Sequence, residues 1–238
     1  MASANRSTMK QRARSLLAYI NTRRRELLPI CAALSLIMIS LVLFVNLADE
    51  IIGGDTINFD RAALNYIYDY QSAFLDNLFR YGTALAGAEI AIILTVTLLI
   101  YLAYRKRFRQ FFLSISIIAG AQILNLMLKA SFARDRPDPW EQIVTEASYS
   151  FPSGHAMMSN AIAVTVVLLA WRTRYRYVVL VGALIYVMFI GLSRLYLGVH
   201  YPTDIIGGWL MSIAWATLCW ATIHIIANKR TIRIDKGA

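Results

Sequence analysis

Residues 27–48 read LLPICAALSLIMISLVLFVNLA, twenty-two positions without a charge, preceded by Arg23, Arg24, Arg25 and Glu26 and followed by Asp49 and Glu50. As a helix this stretch is about 33 Å long at roughly 1.5 Å per residue, enough to cross the hydrocarbon core of a bilayer. Five more apolar runs follow, at 81–104, 111–128, 156–171, 177–192 and 205–227. The runs at 156–171 and 177–192 hold 16 residues each, so their ends must take in polar residues to complete a crossing. Lipid offers no partner to a backbone N–H or C=O, so each run is expected to be helical. The expected fold is all-α: a polytopic membrane protein with six transmembrane helices, a single domain over residues 1–238.

Composition agrees. Of 238 residues 58% are hydrophobic, 16% are charged and mean hydropathy is +0.52. Soluble domains carry about 25% charge, so a disordered tail protein and an ordinary cytosolic enzyme are both excluded. The net charge of +10 would suit a nucleic-acid partner, but the charges punctuate apolar runs, so the expected partner is a bilayer and not a nucleic acid. Cys31 and Cys219 both lie inside apolar runs and are expected to be free core thiols. Alternate segments, starting with the basic leader, hold 18 Lys and Arg against 6 in the others. By the positive-inside rule both termini are cytoplasmic, with mobile tails at 1–22 and 231–238, and the poorer segments face outward. The leader carries no small-residue cleavage site, so the first span is expected to be an uncleaved anchor in the cell membrane. Between the first two spans, Ala63, Ile67, Tyr70, Phe74 and Leu78 recur at helical spacing, with Asp69 and Asp76 off the stripe. This amphipathic helix either lies on the outer leaflet or packs on the bundle.

Three polar clusters gather in the outward segments: Lys129 with Arg136, then Ser153, Gly154 and His155 after Pro152, then Ser193, Arg194, His200 and Asp204. On one face, at neighbouring helix ends, they can converge. Lys129, Arg136 and Arg194 would repel one another without an anion between them, and such clamps stabilise a transferring phosphoryl group. Ser153 and Gly154 open a helix, where free N–H groups favour an anion. Phosphoryl transfer then needs a nucleophile and a proton donor for the leaving oxygen. Asp204, four residues after His200, can hold one imidazole nitrogen and leave the other free to attack. His200 is thereby read as nucleophile and His155 as general acid. Glu89, within the second run, is a candidate for the substrate cleft or a carboxyl satisfied by neighbouring helices. Asn125, His224 and the tryptophans at 209, 215 and 220 read as structural. Arg134 and Asp135 are left outside the reacting set.

At these positions the chain resembles the type-2 phosphatidic acid phosphatase superfamily. Lys129 to Pro137 match Lys-x6-Arg-Pro, Pro152 to His155 match Pro-Ser-Gly-His, and Ser193, Arg194, His200 and Asp204 match Ser-Arg-x5-His-x3-Asp. The resemblance covers residues 129–204. It implies metal-independent hydrolysis without a cofactor, through a phosphohistidine on His200 oriented by Asp204, with His155 protonating the leaving group. Lys129, Arg136, Ser153, Gly154 and Arg194 would bind phosphate oxygens. The implied substrate is a membrane lipid phosphate or pyrophosphate: undecaprenyl pyrophosphate, phosphatidylglycerol phosphate, phosphatidic acid or a lipid A phosphate. The same chemistry allows a lipid phosphotransferase, and the same cations would suit a non-catalytic phosphate or phospholipid carrier. Oligomeric state is open.

Overall fold

The structure, a computed structural model, describes residues 2–138, 146 and 148–235, with side chains described only within 27–227. Among these residues there are eight α-helices and no strand. They are α1 (Ala2–Gly53), α2 (Ile57–Tyr68), α3 (Ala73–Gly82), α4 (Ala88–Tyr104), α5 (Phe108–Phe132), α6 (Gly154–Ala170), α7 (Arg176–Tyr196) and α8 (Pro202–Asp235). The tails expected at 1–22 and 231–238 belong to stretches whose side chains lie outside the described residues.

Four helices are long and apolar enough to cross a membrane: Leu27–Gly53, Phe108–Phe132, Arg176–Tyr196 and Pro202–Ala227. Their outer faces carry large apolar side chains such as Met38, Ile123, Val178 and Ile185, each more than half exposed, a surface suited to lipid rather than water. α6 has 17 residues, about 25 Å at roughly 1.5 Å each, and stands against α5, α7 and α8. The expected second span is interrupted. Gly82 and Gly87 flank a 3-10 turn at Thr83–Ala86, and α3 with this turn meets α4 at 42°. Glycine is a poor helix former, and Gly82 sits so close to Phe189 of α7 that a Cβ would lie 2.5 Å from the ring.

That interruption corrects the reading of Glu89. It occupies the first turn of α4, just after the bend, and is exposed, not enclosed by neighbouring helices, and there a carboxylate complements the helix dipole. Cys31 is also corrected: it is exposed, because α1 turns Ala33, Ser40, Phe44 and Ala48 inward, while Cys219 is buried. The amphipathic segment is two helices, not one. Ser72, extended at φ −155° and ψ 150°, caps α3 by accepting from the Leu75 N–H, and such N-caps start helices. Its inward residues are Asp60, Leu64, Ile67, Leu75 and Phe79, whereas Tyr70, Phe74 and Leu78 of the expected stripe are exposed. Both helices pack on the bundle. Phe79 stacks obliquely on Tyr196 of α7 at 4.7 Å, and the Tyr196 hydroxyl donates to Asp76 at 2.7 Å.

Consecutive helices α5 to α8 run in alternating directions, so the end of α5, the start of α6, the end of α7 and the start of α8 share one end of the bundle. Two glycines of α8 allow the closest approach there. A Cβ on Gly207 would meet the Phe151 ring at 2.4 Å, and one on Gly208 would meet the Ser153 carbonyl oxygen at 2.9 Å and the Ala156 Cβ at 3.1 Å. Phe151 is fully buried, stacked on Phe44 of α1 at 5.5 Å and edge-on to Phe132 of α5 at 5.0 Å. Gly208→Val should therefore destabilise the protein by about 1–3 kcal/mol, the usual cost of overpacking. Gly182→Ala, where nothing lies within 4 Å, should not. Thermal unfolding of both variants in detergent reads the difference, and equal midpoints would contradict the packing account.

Candidate functional site

The site is built at that shared end. Ser153 is the N-cap of α6, its hydroxyl accepting from the Ala156 N–H at 3.4 Å, and its own N–H donates to the Asp204 carbonyl of α8 at 3.0 Å. Asn125 of α5 braces the same turn by donating to the Pro152 carbonyl at 3.0 Å. A Cβ on Gly154 would stand 3.0 Å from the Asn125 Oδ1, so this turn is held on both sides. Asn125 thus acts structurally, as expected. Trp215, donating to the Ser116 carbonyl at 2.9 Å, is a packing residue too.

His200 lies between α7 and α8 and is 1% exposed. Its Nδ1 is 3.2 Å from the Asp204 Oδ2, and its Nε2 is 3.2 Å from the Arg136 Nη1. The carboxylate accepts the Nδ1 proton, so the lone pair is on Nε2. Arg136 also donates to the carbonyls of Ser148 at 2.6 Å and Val199 at 2.7 Å. Lys129, at the last turn of α5, donates to the Tyr149 carbonyl at 2.7 Å and the Ser148 hydroxyl at 2.9 Å. Arg194, in the last turn of α7 and 1% exposed, donates to the Thr83 hydroxyl at 3.2 Å and to Glu146. Glu146 also stands 3.8 Å from the Arg136 guanidinium. Burial favours its neutral form, but Arg194, His155 and Arg136 outweigh this and hold the carboxyl below the usual range. A cavity of about 160 Å³ is lined by polar residues including Lys129, Glu146 and His155 and by apolar ones including Ala86, Leu126 and Met158. All eight residues singled out from the sequence are therefore at one end of the bundle, and Lys129, Gly154 and His155 share this cavity.

A model of the PAP2 superfamily matches residues 110–226. An undecaprenyl-diphosphatase of Sulfolobus acidocaldarius is 30% identical over 182 residues, 74% of this chain and 84% of that protein. The chain belongs to the PAP2 superfamily. Phosphatidylglycerophosphatase B of Bacillus subtilis is 35% identical over 117 residues, 46% of this chain and 56% of its own length, so the match spans little more than half of that relative. The fold is that of a transmembrane PAP2-type phosphatidylglycerolphosphate phosphatase from Bacillus subtilis, whose crystal structure superposes with a TM-score of 0.72 at 25% identity, covering 77% of this chain and 93% of that one. With these relatives and its apolar helices, this PAP2 chain is a multi-pass membrane phosphatase.

Four residues around the PAP2 site escaped the sequence reading. Thr83 and Glu146 hold Arg194, and no spacing rule points to either. Arg134 donates to Asp204 at 2.6 Å and to Asp60 at 2.8 Å. Asp60 carries a signal, since it stands in phase with the apolar Leu64 and Ile67, which are buried and half-buried on the inward face of α2. Burial, then Arg194, Arg136, Lys129 and His155, push the His200 imidazole well below its ordinary value of about 6.5. A lowered value means that the neutral form persists to more acid pH. In ¹⁵N NMR of the phosphate-free PAP2 protein, His200 should stay neutral with Nδ1 protonated at pH ~6, below the free-histidine midpoint. A midpoint at or above that of free histidine would contradict this electrostatic account.

Proposed function

We propose that this PAP2 chain hydrolyses the phosphomonoester or diphosphate of a membrane lipid through a phosphohistidine on His200. The observation that carries the reading is the imidazole itself: Nδ1 is tied to Asp204, and the bare Nε2 faces Arg136 in a setting with two more buried cations. Phosphorus is attacked by Nε2 as its bond to the lipid oxygen breaks, and His155 gives that oxygen a proton. Water then attacks phosphorus, losing a proton to His155, and the N–P bond breaks to release phosphate and neutral His200. Lys129, Arg136 and Arg194, with the N–H groups opening α6 at Ser153 and Gly154, take the charge on the phosphoryl oxygens. The substrate's negative charge is what lets His155 carry a proton among these cations. The buried Arg194 Nε has no hydrogen-bond partner among the described residues, which leaves a donor for a phosphate oxygen.

A lipid substrate is supported by Leu126 and Met158, apolar residues that line the cavity together with Lys129 and His155. It is supported too by relatives named for undecaprenyl diphosphate and phosphatidylglycerophosphate. In this reading the chain crosses six times, with α4 continuing the bent α3 segment and α6 as a short crossing, both termini cytoplasmic and the site at the outer face. The tails at 1–22 and 231–238 then extend into the cytoplasm from a single domain.

The purified protein in detergent, given a panel of lipid phosphates and diphosphates, should release inorganic phosphate. His200→Ala should lower turnover by at least ~10³-fold, in the range for loss of a nucleophile, and abolish ³²P-labelled phosphoenzyme. Near-normal turnover in that variant would overturn the mechanism. Because three cations already neutralise the phosphoryl group, activity should survive EDTA and be inhibited by vanadate. Loss on chelation that added Mg²⁺ restores would assign the charge neutralisation to a metal.

A further inference from the structure

Arg134 lies in the loop after α5, its backbone set by the left-handed Ala133 at φ 46° and by the Ser150 N–H, which donates to the Arg134 carbonyl at 2.9 Å. Its guanidinium is shared between two carboxylates from different helices. Nη1 donates to the Asp204 Oδ1 of α8 at 2.6 Å, and Nη2 to the Asp60 Oδ2 of α2 at 2.8 Å. Both carboxylates are fully buried, and the arginine side chain is 12% exposed. Thr203 closes the array. Its hydroxyl donates to the Asp60 Oδ2 at 2.7 Å while accepting from the Arg134 Nη1 at 2.9 Å, and its N–H donates to the Asp60 Oδ1 at 3.2 Å. The Tyr201 ring covers the guanidinium at 4.3 Å.

We propose that Arg134, anchored by Asp60, is a positioning residue that keeps Asp204 ionised and aligned on His200, and does not bind the phosphate. The inference rests on the reading of His200 as nucleophile. A carboxylate removed from water and partnered only by a neutral imidazole takes up a proton or turns toward another donor. Arg134 supplies the missing charge at the oxygen that His200 does not use, while the Tyr201 N–H donates to the other at 2.9 Å. Asp60 explains why this arginine stays there. Lys129, Arg136 and Arg194 already line the phosphate side, and without Asp60 a fourth cation would be free to turn toward the anion. Bridging two carboxylates needs a planar fork, which a lysine ammonium does not offer.

The test measures kcat, KM and vanadate inhibition on the purified protein in detergent with whichever lipid phosphate it hydrolyses, together with the ¹⁵N signature of His200. Arg134→Gln should lower kcat on the order of 10–100-fold, as for a residue that orients a reacting group through another. KM and the vanadate inhibition constant should stay within about twofold. Arg136→Gln, by contrast, should weaken vanadate. Arg134→Lys should not restore kcat. The Nδ1–H resonance of His200 should lose its hydrogen-bonded shift in Arg134→Gln, a change that a general loosening would not confine to one ring. Asp60→Asn, which keeps the shape but leaves an acceptor on only one side of the group, the other facing Thr203 and Arg134 with a donor, should show the same kcat-selective loss at smaller size. It carries the test should Arg134→Gln fail to fold.

Unchanged kcat in Arg134→Gln, or in Asp60→Asn where the first variant does not fold, would overturn the positioning role. A loss expressed in KM and vanadate affinity would make Arg134 a phosphate ligand and overturn it as well. Retained turnover in His200→Ala would instead bring down the underlying mechanism, so the two failures are separable.

Discussion

One main-chain hydrogen bond, from the Ser153 N–H to the Asp204 carbonyl, ties the start of α6 to the first turn of α8. The two helices carry different parts of the site: α6 brings the capped turn and His155, and α8 brings the carboxylate that holds His200. Their relative position is set by how near the backbones come, and that is decided by Gly208, where any side chain would strike the Ser153 carbonyl. Asn125 from α5 supports the same turn from the other side. This end of the bundle is thus held by one main-chain contact between α6 and α8 and by a side-chain brace from α5, and the residues proposed to react are carried on that frame.

On that frame the protein keeps an unusual concentration of charge away from water. Arg194 is the largest of the fully buried side chains, and its charge is met by Glu146. Lys129 and Arg136 are met largely by main-chain carbonyls at Ser148, Tyr149 and Val199. Carbonyl dipoles solvate a cation without cancelling its charge, so the field at the site remains positive. Burial first, and then the same field, favour the neutral form of His200, in which a lone pair is available. In the proposed reaction, binding of the anion and the neutral state of the nucleophile therefore draw on the same cations.

Much of this was legible in the chain. Helical spans follow from apolar runs, because lipid leaves the backbone no alternative, and the three motifs fall at helix ends on one face because successive spans alternate in direction. What escaped was set by long-range packing. The run at 81–104 has no charge before Glu89, yet α3 ends at Gly82, where Phe189 packs against the missing Cβ, so the segment bends and Glu89 becomes a first-turn residue. The stripe at 63–78 was read through a break that Ser72 introduces. An apolar run does not say which face meets protein and which meets lipid, so the exposed Cys31 is not distinguished from the buried Cys219 by sequence. Arg134 could not be separated from other loop cations, since its partners lie about 70 residues away on either side.

The stacking of Phe151 between Phe44 of α1 and the Gly207 notch of α8 has a consequence for biosynthesis. Helices far apart in the chain close on the ring that precedes the Pro152–Ser153 turn. During translation α5, α6 and α7 are made before α8 exists. Over that interval the ribosome-bound chain carries Lys129, Arg136 and Arg194 without Asp204, and Phe151 lacks its last wall. The nascent protein must tolerate a half-built, cation-rich end until its final described helix is made, and only then can the proposed phosphatase site come into being.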